Sequence, residues 1–88
     1  MANHASADKR NRQRIVRTAR NRAITSSVRT AIKRARSAIA TGDVKVATET
    51  VKAASQALAR AASKGVVHTR AASRVTSRIQ SALAKLAR

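Results

Sequence analysis

Seven of the fourteen residues from Lys9 to Arg22 are cationic (Lys9, Arg10, Arg12, Arg14, Arg17, Arg20 and Arg22), and no acid lies among them. This pattern suits the binding of a polyanion, because an ordinary solvated face interleaves both signs. Over 88 residues, 20 Lys and Arg stand against 3 Asp and Glu, a formal charge of +17 that needs a neutralising partner. Fourteen of the cations are Arg, whose planar fork of donors takes phosphate oxygens in pairs, whereas Lys acts as a point charge. With no Phe, Trp or Tyr in the chain, no aromatic platform exists for splayed bases, so recognition runs through phosphates, 2′-hydroxyls and shape. The combination points to RNA.

Two further cationic rows continue the theme. Arg29, Lys33 and Arg36 recur at helical spacing with Arg34 beside them, and Arg70, Arg74 and Arg78 follow one another at i, i+4, interleaved with Ser77, Ser81 and Lys85. Each row also has a structural reading. The first favours the negative end of its own helix, and the second is a polar exterior for an amphipathic helix. Lys45, Lys52, Arg60 and Lys64 are offset by Glu49, placed to pair with Lys52 or Lys45, so the middle of the chain is its least RNA-like part.

Catalysis finds no constellation. Asp8 and Asp43 stand at expected helix starts and Glu49 on a polar face, which uses all three acids and leaves no general acid and base pair. The 17 Ser and Thr lack a histidine with an orienting carboxylate, and no Gly-rich phosphate loop is present. His4 and His68 are far apart in sequence with no Cys or carboxylate cluster to join them, so no metal site is expected. His68 is left with a local cap or an RNA hydrogen bond. The expectation is a non-enzyme with no cofactor and no small-molecule substrate.

The absence of Cys fits a reducing compartment. No apolar run approaches the roughly 18 residues of a membrane span, and the basic N-terminus is not followed by the apolar stretch of a secretory signal. A cytoplasmic protein without a membrane partner is expected. A DNA-compacting protein would favour Lys-rich, Pro-containing repeats, and a membrane-active helix would carry Trp or Phe; the chain has neither.

The elements that must position these cations are marked by two glycines in a chain without proline: Thr41-Gly42-Asp43 and Lys64-Gly65-Val66. Three helices are predicted, the first from Ser6 or Asp8 to about Thr41, some 50 Å long at 1.5 Å per residue. Gly42 suits the left-handed position after a helix end, Asp43 the N-cap of the next helix, and Gly65 repeats the stop. Apolar residues recur every three or four positions as Ile24, Val28, Ile32, Ala35 and Ile39, as Val44, Ala47, Val51, Ala54 and Leu58, and as Ala72, Val75, Ile79, Leu83 and Leu86. Short connections make successive helices antiparallel, giving an all-α, three-helix up-down-up bundle.

One domain of 1–88 is expected, with residues 1–22 a projecting basic arm and 23–88 the bundle. Between residues 9 and 22 the large apolar groups are Ile15 and Val16 alone, and cations surround the helix, opposing one another at i, i+3 and i+4. With 21 Ala and only 17 Val, Ile, Leu and Met, the core is thin. If roughly 60 residues share it, the free protein is stable by about 3 to 9 kcal/mol.

The motifs also resemble a family, that of bacterial small-subunit ribosomal protein twenty. Met1-Ala2-Asn3 with Ser6-Ala7 and Lys9-Arg10 is similar to the family's start, Arg29-Thr30-Ala31-Ile32-Lys33 to its mid-helix segment, and Gly42-Asp43 to its first turn. Most specific is Lys64-Gly65-Val66-Val67-His68 followed by Ala72, Arg74 and Ser77-Arg78-Ile79. The likeness spans essentially the whole chain, with departures at Asp8, Thr69, Arg70, Ala71 and Thr76, where the family commonly has Lys, Lys, Asn, Lys and Lys. It implies a bundle with a long first helix, bound directly to 16S rRNA within the small subunit of a bacterial or bacterial-type organellar ribosome. The implied place is the bottom of the body, bridging the 5′ domain and the 3′ minor domain. Carried over by position, the resemblance assigns RNA contacts to Asn3, Ser6, Lys9, Arg10, Arg22, Lys33, Lys64, His68, Arg74, Ser77 and Arg78. The cation pattern itself adds Arg12, Arg14, Arg17, Arg20, Arg29, Arg36 and Arg70.

Overall fold

Gly42 and Gly65 are the two residues with positive φ, +85° and +79°, in a computed structural model that describes residues 2–88, with side chains from Ala5 onward. They separate three helices: α1 (Ala2–Thr41), α2 (Val44–Ser63) and α3 (Thr69–Ala87). After Gly42, Asp43 is extended (φ −83°, ψ 101°) and its Oδ1 accepts from the N–H groups of Lys45 and Val46 at 3.1 and 3.3 Å, an N-cap in the expected place. At the other end of α2, the Val66 N–H donates to the Ala61 carbonyl and the Gly65 N–H to that of Ala62, both at 3.0 Å. This pair of bonds is a Schellman closure, and Val66 packs against the cluster that contains Ala61. Asp43→Ala should therefore lower the stability of the free protein by about 1 kcal/mol, read as a shift in its thermal melt; an unshifted melt would mean that α2 does not rely on this cap.

α1 begins earlier than the sequence suggested. Ser6 and Asp8 lie inside the helix, which starts at Ala2, because Ala2, Ala5 and Ala7 are the strongest of helix formers. Its 40 residues make a rod of about 60 Å, and the molecule measures 67 × 20 × 13 Å. The radius of gyration is 17.7 Å, where a compact domain of this length has about 12 Å.

The bundle is layered around α2, which packs on both neighbours, while α1 and α3 meet each other much less. One cluster joins Val28, Leu58, Ala61 and Ala72, with Ile24, Ile32, Val66, Val67 and Val75 against it; a second joins Ala35, Val51, Ala54 and Ile79, with Ile39 and Leu83 against it. Alanine at the contact surfaces lets the helix axes approach closely, which suits the thin core. Two details differ from the apolar periodicity. Val44, the first residue of α2, is 41% exposed, because it stands at the end of the bundle; Ala38 and Ala61, outside the expected stripes, are buried.

Candidate nucleic-acid interface

Every Lys and Arg of the chain is exposed, and so are Ser6, His68 and Ser77. The side chain of Asn3 lies outside the described residues. Among the described residues, the single side-chain hydrogen bond donated by a cation runs from Arg14 Nη2 to Asn11 Oδ1 at 3.0 Å within α1. Apart from that bond the cations face solvent with their donors unspent, as phosphate ligands require.

The central geometric fact concerns one stripe of α1. Ile24, Val28, Ile32, Ala35 and Ile39 lie against α2 and α3. Followed toward the N-terminus at the same three- and four-residue steps, the stripe becomes Asn21, Arg17, Arg14 and Arg10. Asn21 marks the change, half-buried, with its Oδ1 enclosed and unpaired. Beyond it every described residue of α1, back to Ala5, is exposed, including Ile15 at 58% and Val16 at 70%.

The other expected residues fall into separate groups. Ser6, Arg10, Asn11 and Arg14 line one shallow recess on α1, and Arg12, Arg17 and Arg20 line another with Gln13 and Val16. Arg22 and Arg29 share a third with the hydroxyls of Thr18, Thr25 and Ser26. Lys9, Lys33 and Arg36 are exposed on α1 outside these recesses. Arg70, Arg74 and Arg78 form a row on α3, turned away from its buried Ala72 and Ile79.

The α2–α3 connection carries two more. His68 is the N-cap of α3, its Nδ1 accepting the Arg70 N–H at 3.1 Å. Of the two roles open to it in the sequence, the cap is made; with Nδ1 an acceptor, the neutral ring carries its proton on Nε2, a donor on an exposed group. Lys64 is the C-cap of α2, and the fold places it beside Ala23 and Ser27 of α1 together with Arg60. Arg60, on a helix that is less basic as a whole, reaches the same place through its i, i+4 spacing from Lys64.

A feature that no charge pattern disclosed is a cleft of about 840 Å³ between α2 and α3. Its walls include Ser55, Ser63, Ser73, Thr76, Ser77, Gln80 and Ser81, with Gln80 Nε2 at 3.5 Å from Ser55 Oγ. Ser77, expected on the cationic face, thus also edges a hydroxyl-rich cleft. No helix is long and apolar enough to cross a membrane, and no group of three or more metal-ligating side chains is assembled among the described residues.

A family model for ribosomal protein S20 matches residues 2–84. The chain belongs to the ribosomal protein S20 family. Curated relatives agree along the full length. Small ribosomal subunit protein bS20 of Sorangium cellulosum is 60% identical over 85 residues, covering 97% of this chain and 89% of the relative. The bS20 of an Anaeromyxobacter species is 54% identical over 87 residues, covering 99% and 97%, and that of Nitratidesulfovibrio vulgaris 44% over 87 residues, covering 99% and 100%. Membership of the S20 family confirms the likeness carried by the Lys64–His68 turn and its surroundings. The family is one of ribosomal structural proteins and not of enzymes, with a role in rRNA binding.

Proposed function

We propose that this chain binds 16S rRNA directly and stabilises the junction of the 5′ domain and the 3′ minor domain at the bottom of the small-subunit body, in a cytoplasmic or organellar ribosome of bacterial type. The observation that carries the reading is the α1 stripe. Where it meets protein it is Ile24, Val28 and Ile32, and where it meets none it is Arg10, Arg14 and Arg17. Residues 1–22 act as an arm laid along RNA backbones, and the bundle 23–88 offers Arg70, Arg74, Arg78 and the Lys64–His68 turn to a second RNA segment. Two separated cationic surfaces on one rigid rod neutralise phosphates where RNA helices converge, so their mutual repulsion opposes the folded subunit less.

Two measurements test this. In sucrose gradients of a lysate at low and moderate salt, the chain should comigrate near-stoichiometrically with free small subunits and whole ribosomes; sedimentation with nucleoid DNA or membranes would discard the reading. Chemical footprinting of 16S rRNA with and without the protein should then show protections in both the 5′ and 3′ minor domains, and protections confined to one of them would remove the bridging role. If about 6 to 10 phosphates are contacted, affinity should fall by roughly 10³ to 10⁵ between 50 and 200 mM salt, on the scale known for duplex DNA.

A further inference from the structure

The cleft between α1 and the end of α2 opens where the Arg-bearing part of α1 leaves the bundle, and its two walls differ in kind. On the α1 side the exposed lining residues are Ala23 and Ser27, one turn apart and with almost no side chain. Across from them stand Arg60 and Lys64 of α2, also one turn apart and both exposed, and half-buried Ile24 lies between the walls. The volume is about 290 Å³, at the lower limit of the roughly 300–1,000 Å³ of small-molecule pockets. None of the three carboxylates lines it; Asp43, at the opposite end of α2, is 17 residues before Arg60, about 25 Å along the helix.

We infer that this cleft seats a ribose-phosphate segment of RNA, with Arg60 and Lys64 donating to successive phosphates and Ala23 and Ser27 letting the strand lie close against α1. The inference rests on the rRNA-binding reading and adds Arg60 to it, joining Arg60, Lys64 and the short α1 wall in one site. The cleft lies where the α1 stripe and the α2 terminus meet at Ile24, beside the Lys64–His68 turn. The rival account is internal to the protein: Arg60 and Lys64 lie at the negative end of α2, which they would stabilise without any ligand.

Three variants of the full chain separate these accounts, each assayed for binding to a 16S rRNA transcript across a salt series and for its thermal melt. R60Q with K64Q removes the two donors. K45Q with K52Q removes the same charge from α2 outside the cleft. Ala23→Leu leaves the charge alone and fills the short wall with a good helix former. Expected for R60Q/K64Q is a loss of affinity on the order of tenfold, with a salt slope shallower by about 1.4 to 1.8 for two lost phosphate contacts. K45Q/K52Q should stay within about twofold of the parent with its slope unchanged, and Ala23→Leu should weaken binding severalfold at an unchanged slope. Equal losses in the two double variants would overturn the cleft in favour of a diffuse field. So would a lowered melt with unchanged affinity in R60Q/K64Q, or unaltered binding by Ala23→Leu. Failure of the parent chain itself to bind the transcript would instead remove the rRNA reading on which the inference stands.

Discussion

Arg10→Glu, Arg14→Glu and Arg17→Glu combined should cost at least a thousandfold in affinity for 16S rRNA while leaving the bundle folded. A hydrogen bond to a charged group contributes about 1.5 to 3 kcal/mol, so losing three removes roughly 4.5 kcal/mol or more, and about 4.1 kcal/mol already corresponds to a thousandfold. Reversed charges repel phosphates in addition. The slope of log affinity against log salt should flatten by about 2 to 3. The fold is spared because all three side chains are exposed and lie outside both core clusters. Helix content should not fall, since Glu and Arg have similar propensities. Filter binding across a salt series, paired with circular dichroism, reads both halves. Affinity within threefold of the parent would show that α1 does not lie on RNA, and loss of the helical signal would show that this stretch supports the bundle after all.

Leu58→Ala produces the opposite separation. Leu58 is 2% exposed, with Val28, Ala61 and Ala72 in its cluster. Truncating such a leucine costs about 2 to 5 kcal/mol, since neighbouring helices collapse only partly into the space. Against a total of about 3 to 9 kcal/mol for a core of this size, that is a large share. At about 4 to 8 °C per kcal/mol for a domain of this length, the melt of the free protein should drop by roughly 8 to 40 °C. Binding to rRNA couples to folding and opposes the loss, by RT ln(1 + [RNA]/Kd) when only the folded chain binds. The variant should therefore bind with weakened apparent affinity yet an unchanged salt slope, because every phosphate ligand is intact. A melt within a few degrees of the parent would show that the Leu58 cluster does not hold the bundle together, and a flattened slope would tie Leu58 to the RNA face.

The two variants divide the molecule along a line already visible in the sequence. Local rules were sufficient wherever a single residue decides an outcome with its immediate neighbours. Gly42 and Gly65 adopt positive φ because no Cβ opposes it, Asp43 caps α2 through amides two and three residues away, and burying any of 20 unpaired cations costs more than a small core returns. Helix count, turn positions and an exterior made for a polyanion follow from those terms, as does the family through the Lys64–His68 turn.

Tertiary packing decided what periodicity leaves open. A 3.6-residue repeat names the face a helix buries but neither which neighbour covers it nor how far along that neighbour it sits. That α2 would be the central layer, that Ala38 and Ala61 would be enclosed while Val44 stays exposed, and that Ser77 would edge a hydroxyl-lined cleft depend on the mutual rotation and register of three helices. The same holds for Arg60 and Lys64, 33 and 37 residues from Ser27 in the chain, which face it only because α2 runs back along α1 until its last turn reaches the point where the arginine stripe begins.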